Sequence, residues 1–559
     1  MGKKTLWRVE ALNSQLKWQR RNGGSGRGRL DRQRWVWNNW RRRIWRDWGR
    51  WVRRNRWRGI CRERRGRIWS NRWGGHLSES DCRQVHPGHG GYARASQQLP
   101  KKFAFHDPSK DFESNMVFGR PTPGNELWAG AACCKMENMK GSLNPKRTIA
   151  ELKELRSLTA DENGAHRVAF TSTWGDARKW LRSKLEQLPG IEIHNDAAGN
   201  LWATLRGESE KALLIGGHID SVPNGGWLDG CLDTIAGMEI LRRIQAQFNG
   251  RPPVTVRLVD WADEEGARFG KSLFGSSACS GKIDMDETRG LKDKDGIGLV
   301  DAIKEYGIDF EKVKDSGKEL ANAAAYLELH IEQGPVLLDL GLPLGTVLGT
   351  FGVERHAITF RGQAAHSGST PMNRRRDAFL AAAKMSPEIY RIAERSDGGV
   401  CTIGSCATKP GIVTSVVEEC RIALDQRHLD AKVLARMLQE AKEASERFTK
   451  EGNVSVRWKR LWEIEPILFN KDLIKFCDEA ISETGVKPHR LPSGPLHDAA
   501  EVARAGVPTV MMFVQSLHGI SHNKIEDTKE EHLEMAVTAL DKLADKAMSW
   551  ICGNETYPR

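Results

Sequence analysis

"GGHIDSVPNGGWLDG" (residues 216–230) sets one His and two Asp among five glycines. The segment before it, KALLIGG (211–217), is a short apolar run closed by Gly, as in a buried strand. The segment after it, DTIAGMEILRRIQAQF (233–248), spaces its apolar residues as a helix does. Strand, polar turn and helix in that order point to a layered α/β domain. In open sheets of that kind ligands collect beyond the carboxyl ends of the strands. The polar turn is therefore a candidate site as well as a connection.

The pattern recurs along the chain. PVTVRLVDWA (253–262), AAYLELHIEQ (324–333) and VPTVMMFVQS (507–516) read as strands. PKRTIAELKELRSLT (145–159) and TWGDARKWLRSKLEQL (173–188) read as helices, the second with Trp180, Leu181, Leu185 and Leu188 on its apolar face. A last helix is expected over 529–550. From about Gly345 the texture changes. ERHAITFRGQ (354–363) and EECRIALDQRH (418–428) alternate with period two, with helical stretches at 372–385 and 430–448. The expected architecture is an α/β catalytic domain (141–344 and 456–559) interrupted by a smaller α+β insert over 345–455.

Residues 1–140 differ from the rest. Residues 1–80 alone hold 24 Lys/Arg against 5 Asp/Glu, and 11 of the 20 Trp. The whole chain carries +14, so residues 81–559 are mildly acidic. The Arg/Trp/Gly-rich extension has no helical or alternating period and reads as disordered. Nucleic-acid binding by charge and stacking is the competing reading, confined to residues 1–80. Eleven Cys occur without any ligand spacing, which fits free thiols in a reducing compartment. No run of 18 apolar residues and no signal-peptide pattern occurs, so a cytoplasmic protein without a membrane span is expected.

Four polar clusters each follow an apolar run: His218, Asp220 and Asp229; Asp263, Glu264 and Glu265; His330; and His522. Three His and several carboxylates on strand ends suit hard or borderline divalent cations, and no Cys joins them to make a closed thiolate site. Each cluster alone reads as an ordinary polar turn; their joint occurrence at strand ends points to a metal centre.

GGHIDSVPNGGWLDG, DEEGARFG (263–270), HIEQGPVL (330–337), GQAAHSGSTPMNRRRDA (362–378), LPSGPLHDA (491–499) and GISHN (519–523) together resemble the amidase/hydantoinase–carbamoylase family. That family includes N-carbamoyl-L-amino-acid hydrolases, allantoate amidohydrolases and β-ureidopropionases, within the dinuclear-zinc peptidase superfamily. The resemblance spans about residues 145–551. It implies a zinc-peptidase-like catalytic domain, a mixed sheet flanked by helices, with an inserted dimerisation and lid domain. It also implies two divalent ions per subunit, zinc or manganese, and a homodimer formed through the insert.

The resemblance further implies roles. His218 and His330 would hold one ion, Glu265 and His522 the other, and Asp229 would bridge them. Asp220 would orient His218, and Glu264 would act as general base. His366 would reach across the dimer to the developing oxyanion. Arg427 would bind the substrate carboxylate, with Gln333, Thr414, Ser493 and Gly494 as further substrate contacts. Thr414 stands where many members have Asn, and Pro495 and Leu496 alter the loop after Gly494. Cys231, beside the bridge, reads as a small buried hydrophobe, and both it and Trp227 raise the question of substrate choice. The expected reaction is hydrolysis of linear N-carbamoyl-L-amino acids to amino acid, carbon dioxide and ammonia. Allantoate and β-ureidopropionate are the alternative substrates, and an aminoacylase or dipeptidase is a more remote reading.

Overall fold

The computed structural model describes residues 142–553; the expected extension over 1–140 lies outside the described residues. The strands that carry the architecture are β1 (Ile191–Asn195), β2 (Leu201–Leu205), β3 (Ser209–Gly217), β4 (Val254–Asp260), β5 (Ala323–Ile331), β6 (Leu344–Thr350), β7 (Gly352–Arg361), β8 (Val400–Lys409), β9 (Glu419–His428), β10 (Ser455–Ile464), β11 (Ile467–Leu468), β12 (Arg490–Ser493) and β13 (Thr509–Val514). The main helices are α1 (Pro145–Thr159), α2 (Ser172–Leu185), α3 (Cys231–Gln247), α4 (Ala378–Arg395), α5 (Ala431–Gly452), α6 (Lys471–Ser482), α7 (Asp498–Arg504) and α8 (Glu530–Gly553).

A nine-stranded mixed sheet runs in the order β11-β6-β13-β5-β3-β4-β2-β1, with β12 beside β6. Its centre, β13-β5-β3-β4, is parallel. Those strands are buried on both faces, which is why they read as continuous apolar runs in the sequence. Helices flank the sheet, and one core extends from Ile149 in α1 to Ile551 in α8. Asn144 caps α1 by accepting from Arg147 N (3.2 Å), and Pro145 opens the helix where its missing N–H costs nothing. Along α2 the buried stripe is Trp174, Ala177, Leu181 and Leu185. Trp180 falls off that stripe and donates its indole N–H to Glu154 (2.8 Å), and the helix ends before Leu188.

The second sheet, β8-β9-β7-β10, is antiparallel. Helices α4 and α5 pack on it around a separate core that includes Ile358, Phe360, Met385, Leu424 and Met437. Each helix starts on an Asp: Asp377 accepts from Phe379 N and Leu380 N, and Asp430 from Lys432 N and Val433 N. The chain enters this lobe from β6 into β7 and leaves from β10 into β11. β6 and β11 are hydrogen-bonded neighbours in the large sheet, so the lobe hangs from adjacent strands. Its last strand runs on past residue 455 to Ile464.

Candidate metal centre

The parallel strands β3, β4, β5 and β13 deliver the four polar clusters to one end of the large sheet. His218 directly follows β3, Glu264 and Glu265 follow β4, His330 lies at the end of β5, and His522 lies beyond β13. Two groups of potential ligands result. In one, ligand atoms of His218, Asp229 and His330 lie within 4.8 Å of one another; in the other, those of Asp229, Glu265 and His522 do. Asp229 belongs to both: its Oδ1 is 3.1 Å from His330 Nε2 and its Oδ2 is 3.4 Å from His522 Nε2. Glu265 Oε2 is 3.2 Å from His522 Nε2.

Local backbone geometry makes this possible. Gly230, at φ +65°, sits where an added Cβ would lie 2.3 Å from the His218 ring, so only glycine lets Asp229 and His218 converge. At Gly226 a Cβ would lie 2.0 Å from the Glu526 carboxylate. Adjacent carboxylates in extended chain point apart, yet Glu264 and Glu265 both enter the cleft. Asp263 has a left-handed backbone (φ 57°) and the chain bends through 264–265.

The donor set fits divalent cations on its own chemistry. His330 Nδ1 faces the carbonyl of Ile331 at 2.8 Å. A carbonyl only accepts, so Nδ1 carries the hydrogen and Nε2 presents a lone pair. That buried Nε2 has no hydrogen-bond partner although Asp229 Oδ1 is close. Two lone pairs facing each other call for a cation between them. At His218, Nδ1 likewise faces a carbonyl, that of Asp220 (3.2 Å), which leaves Nε2 for the group it shares with Asp229 and His330; Glu264 Oε2 stands 3.6 Å from that nitrogen. The Asp220 carboxylate stands 3.6 Å from the His218 ring. It accepts instead from the backbone N–H groups of Glu264 and Glu265, at 3.2 Å each. Asp220 therefore orients His218 through its carbonyl and the Glu pair through its side chain.

The charges are strongly coupled. Burial pushes the Glu264 carboxyl well up, and the negative field of Asp498, Glu265, Asp220 and Asp229 adds to it. Burial also raises Asp220, to about 7. Its contacts with His330 and His522 overcome burial at Asp229 and hold it well below the carboxylate range. The same contacts with Asp229 and Glu265 lift His522 to about 10.

Glu526 is a residue the sequence reading left unassigned. It is buried, accepts from Leu228 N and Asp229 N (3.1 Å each), and receives Ser521 Oγ at 2.9 Å. Ser521 Oγ also lies 2.7 Å from Asp229 Oδ2, and Gln333 Nε2 donates to that oxygen at 2.8 Å. The signal was an acid in the HNKIEDT segment beside His522.

A cleft of about 700 Å³ lies between these groups and the smaller lobe. Arg427 and Gly494 line it, and Arg427 donates to the Gly494 carbonyl at 2.9 Å. Arg355, unremarked in the sequence, lines it too. Ser493 is buried behind the lining, donating to the Pro495 carbonyl (2.8 Å) and bonded to His497 Nε2 (3.0 Å). His366 and Thr414 are exposed on the smaller lobe and are not part of the lining. Trp227 also lies off the cleft, its indole donating to Asp527 (3.3 Å). Cys231 is buried in the core, where burial pushes its thiol to about 12, and it joins neither ligand group.

Residues 214–546 match the model of peptidase family M20/M25/M40. The chain is 36% identical over 374 residues to an N-carbamoyl-L-amino acid amidohydrolase of Geobacillus stearothermophilus, covering 66% of this chain and 90% of that protein. It is 32% identical over 390 residues to an allantoate amidohydrolase of Escherichia coli, covering 69% and 94%. A crystal structure of an amidase of the hydantoinase/carbamoylase family from Burkholderia multivorans superposes with a TM-score of 0.66 at 28% identity, covering 73% and 98%. With two carboxylate-linked ligand groups at the strand ends and these relatives, the chain belongs to peptidase family M20/M25/M40, among its hydantoinase/carbamoylase amidases.

Proposed function

We propose that the protein hydrolyses the ureido C–N bond of N-carbamoyl-L-amino acids, releasing amino acid, carbon dioxide and ammonia. Its class, a metal-dependent hydrolase of linear amide bonds, follows from the family. The observation that carries the reading is one cleft bordered by Asp229, Glu265, His330 and His522 from two ligand groups joined through Asp229, with Glu264, which is in neither group, beside them and Arg427 on the facing wall. Allantoate is the second candidate, favoured by the Escherichia coli relative.

His218, Asp229 and His330 would hold one divalent ion, and Asp229, Glu265 and His522 a second, zinc or manganese. Ions so held lower the pKa of water toward about 7 and polarise the ureido carbonyl. Glu264 belongs to neither group, so its carboxylate is free to take the proton of the attacking water and return it to the leaving nitrogen. Arg427 would receive the substrate carboxylate, and Gln333, Ser493 and Gly494 would shape the floor around it.

His366 acts in this reading from a second copy of the chain. Its Nδ1 accepts from Gly368 N (3.2 Å) and Ser369 N (3.1 Å), so Nε2 carries the hydrogen and is a fixed donor suited to an oxyanion. Thr414 is tied beside it, its carbonyl accepting from Ser367 N at 2.9 Å. Exposed Phe379, Leu380, Tyr390 and Val400 on α4 and the edge strand β8 offer the smaller lobe an apolar face for that dimer. Among the described residues no helix is long and apolar enough to cross a membrane. Their seven cysteines are free thiols, which fits a cytoplasmic setting.

The test is ammonia release from N-carbamoyl-L-amino acids, allantoate and β-ureidopropionate by metal-loaded enzyme. Release from allantoate alone would replace the first reading by the second. Amino-acid release from N-acetyl or dipeptide substrates, without ammonia from any ureido acid, would replace both.

A further inference from the structure

The wall of the cleft facing the metal ligands is one face of the smaller sheet, and its register decides what that wall is made of. In the row across β9, β7 and β10, Arg427 pairs with Val353, and Val353 with Ile464. Two residues along β7, Asp425 pairs with Arg355, and Arg355 with Trp462. Side chains two apart on a strand share a face, so these six form a single patch.

Trp462 is on that face only because of a bulge. Nearer the start of β10, Val456 and Trp458 pair with Phe360 and Ile358, which are buried against the helices. Even-numbered residues of β10 thus face the core there. The register shifts between Arg460 and Trp462, leaving Leu461 as the extra residue. One inserted residue moves every later side chain to the opposite face. Trp462 and Ile464 consequently turn from the helices to the cleft, where both line it with Val353.

The patch divides into a charged and an apolar part. Asp425 accepts from both Arg427 (2.8 Å) and Arg355 (2.7 Å). Two guanidinium groups sharing one carboxylate leave a single net positive charge, enough for one substrate carboxylate. Arg355 lies over the Trp462 ring, 5.0 Å from its centroid, which fixes the ring. Trp462 nevertheless stays 38% exposed. A bulky indole held open to a cleft is an apolar surface awaiting a ligand. Glu463, between Trp462 and Ile464, pairs with Glu354 on the opposite face and is held in an ion pair by Arg460 at 2.7 Å.

We propose that Trp462, with Val353 and Ile464, is the side-chain subsite of this enzyme and selects ureido acids that carry one carboxylate and a bulky apolar or aromatic side chain. The inference rests on the ureido-acid reading above. Small and acidic substrates lose on this wall: N-carbamoylglycine leaves the ring uncovered, and N-carbamoyl-L-aspartate brings a second negative charge to a patch with one positive charge to offer.

The experiment compares kcat/KM for ammonia release from the N-carbamoyl derivatives of glycine, L-aspartate, L-leucine and L-phenylalanine, using the full metal-loaded chain and its Trp462→Ala and Trp462→Phe variants. The phenylalanine derivative is expected to exceed the glycine and aspartate derivatives by about tenfold or more. Trp462→Ala lowers the phenylalanine-to-glycine ratio by about tenfold, and Trp462→Phe restores most of it. A flat or reversed substrate order overturns the subsite while leaving the ureido-acid reading intact. So does a Trp462→Ala variant in which all rates fall together and the ratio holds. No ammonia from any ureido acid overturns both.

Discussion

Glu526 Oε1 accepts the backbone N–H of Asp229 at 3.1 Å, so a buried carboxylate grips the main chain of the residue common to both ligand groups. The same oxygen accepts from Leu228 N, and the other carboxylate oxygen is bonded to Ser521. Glu526→Ala strands two buried N–H groups at a cost of about 1–3 kcal/mol. An unfolding free energy lowered by that amount, read as a lower urea midpoint, is expected, together with weaker metal retention. Glu526→Gln keeps a carbonyl oxygen toward the two donors and should retain most of the stability. Equal losses in both variants would mean that the negative charge, not the acceptor geometry, matters.

Metal loading is the next expectation. Because the Nε2 lone pairs of His218 and His330 point into carboxylate-lined space, the protein should take up two divalent ions per chain. Chelation should abolish ammonia release, and zinc or manganese should restore it. Asp229→Asn removes charge from both groups, so elemental analysis of that variant should find fewer than one ion per chain. Two tightly held ions in Asp229→Asn would show that the groups are independent.

The centre of the large sheet and the candidate ligand residues are legible in the sequence because both leave strong local marks. Strands buried on both faces are continuous apolar runs, and glycine is dictated at positions such as Gly230 by a ring that would occupy its Cβ. The edges of the smaller sheet left no such mark. β8 is mostly exposed, with Gly404, Ser405 and Cys406 in sequence, so no alternation survives. On β10 the bulge breaks the period, and Trp462 reads as a core residue in register with Trp458 until the pairing is known. Glu526 was hidden for another reason: its partners are backbone N–H groups almost 300 residues away, which no motif encodes. Asp220 is read from the sequence as holding His218 through its carboxylate; in the structure its carbonyl faces the His218 ring, and its carboxylate takes the N–H groups of Glu264 and Glu265.

Without metal, stability should depend on pH through His522. Its contacts with Asp229 and Glu265 raise it to about 10, against about 6.5 in an unfolded chain. A His whose folded pKa is raised contributes fully below the unfolded value and loses that contribution as pH rises through the folded one. Asp229 is held well below its ordinary range, so its charge persists in mild acid. Chelated wild type should therefore melt above chelated His522→Gln by the largest margin near pH 6. The margin should shrink steadily toward pH 10. His522 is half exposed, so solvent screening keeps the margin modest. A gap that widens with pH would contradict the ion pair.

The adjacent carboxylates Glu264 and Glu265 should fail in different ways when neutralised. Glu265 shares a ligand group with Asp229 and His522, whereas Glu264 lies outside both groups and faces the cleft. Glu265→Gln should lose metal and, with it, both binding and turnover. Glu264→Gln should keep its metal content and KM but lower kcat by about 10²–10⁴-fold, the usual weight of a positioned proton-transfer group. Burial and the surrounding carboxylates push Glu264 upward in the metal-free site. Bound cations oppose that shift, so the acidic limb of the wild-type kcat profile should fall below the value for the isolated site. Activity needs the carboxylate form and is lost as pH drops through that limb. In Glu264→Gln the residual rate should lose the limb. Retention of the limb would assign the proton transfer to another group, and loss of metal from Glu264→Gln would make Glu264 a ligand instead of a base.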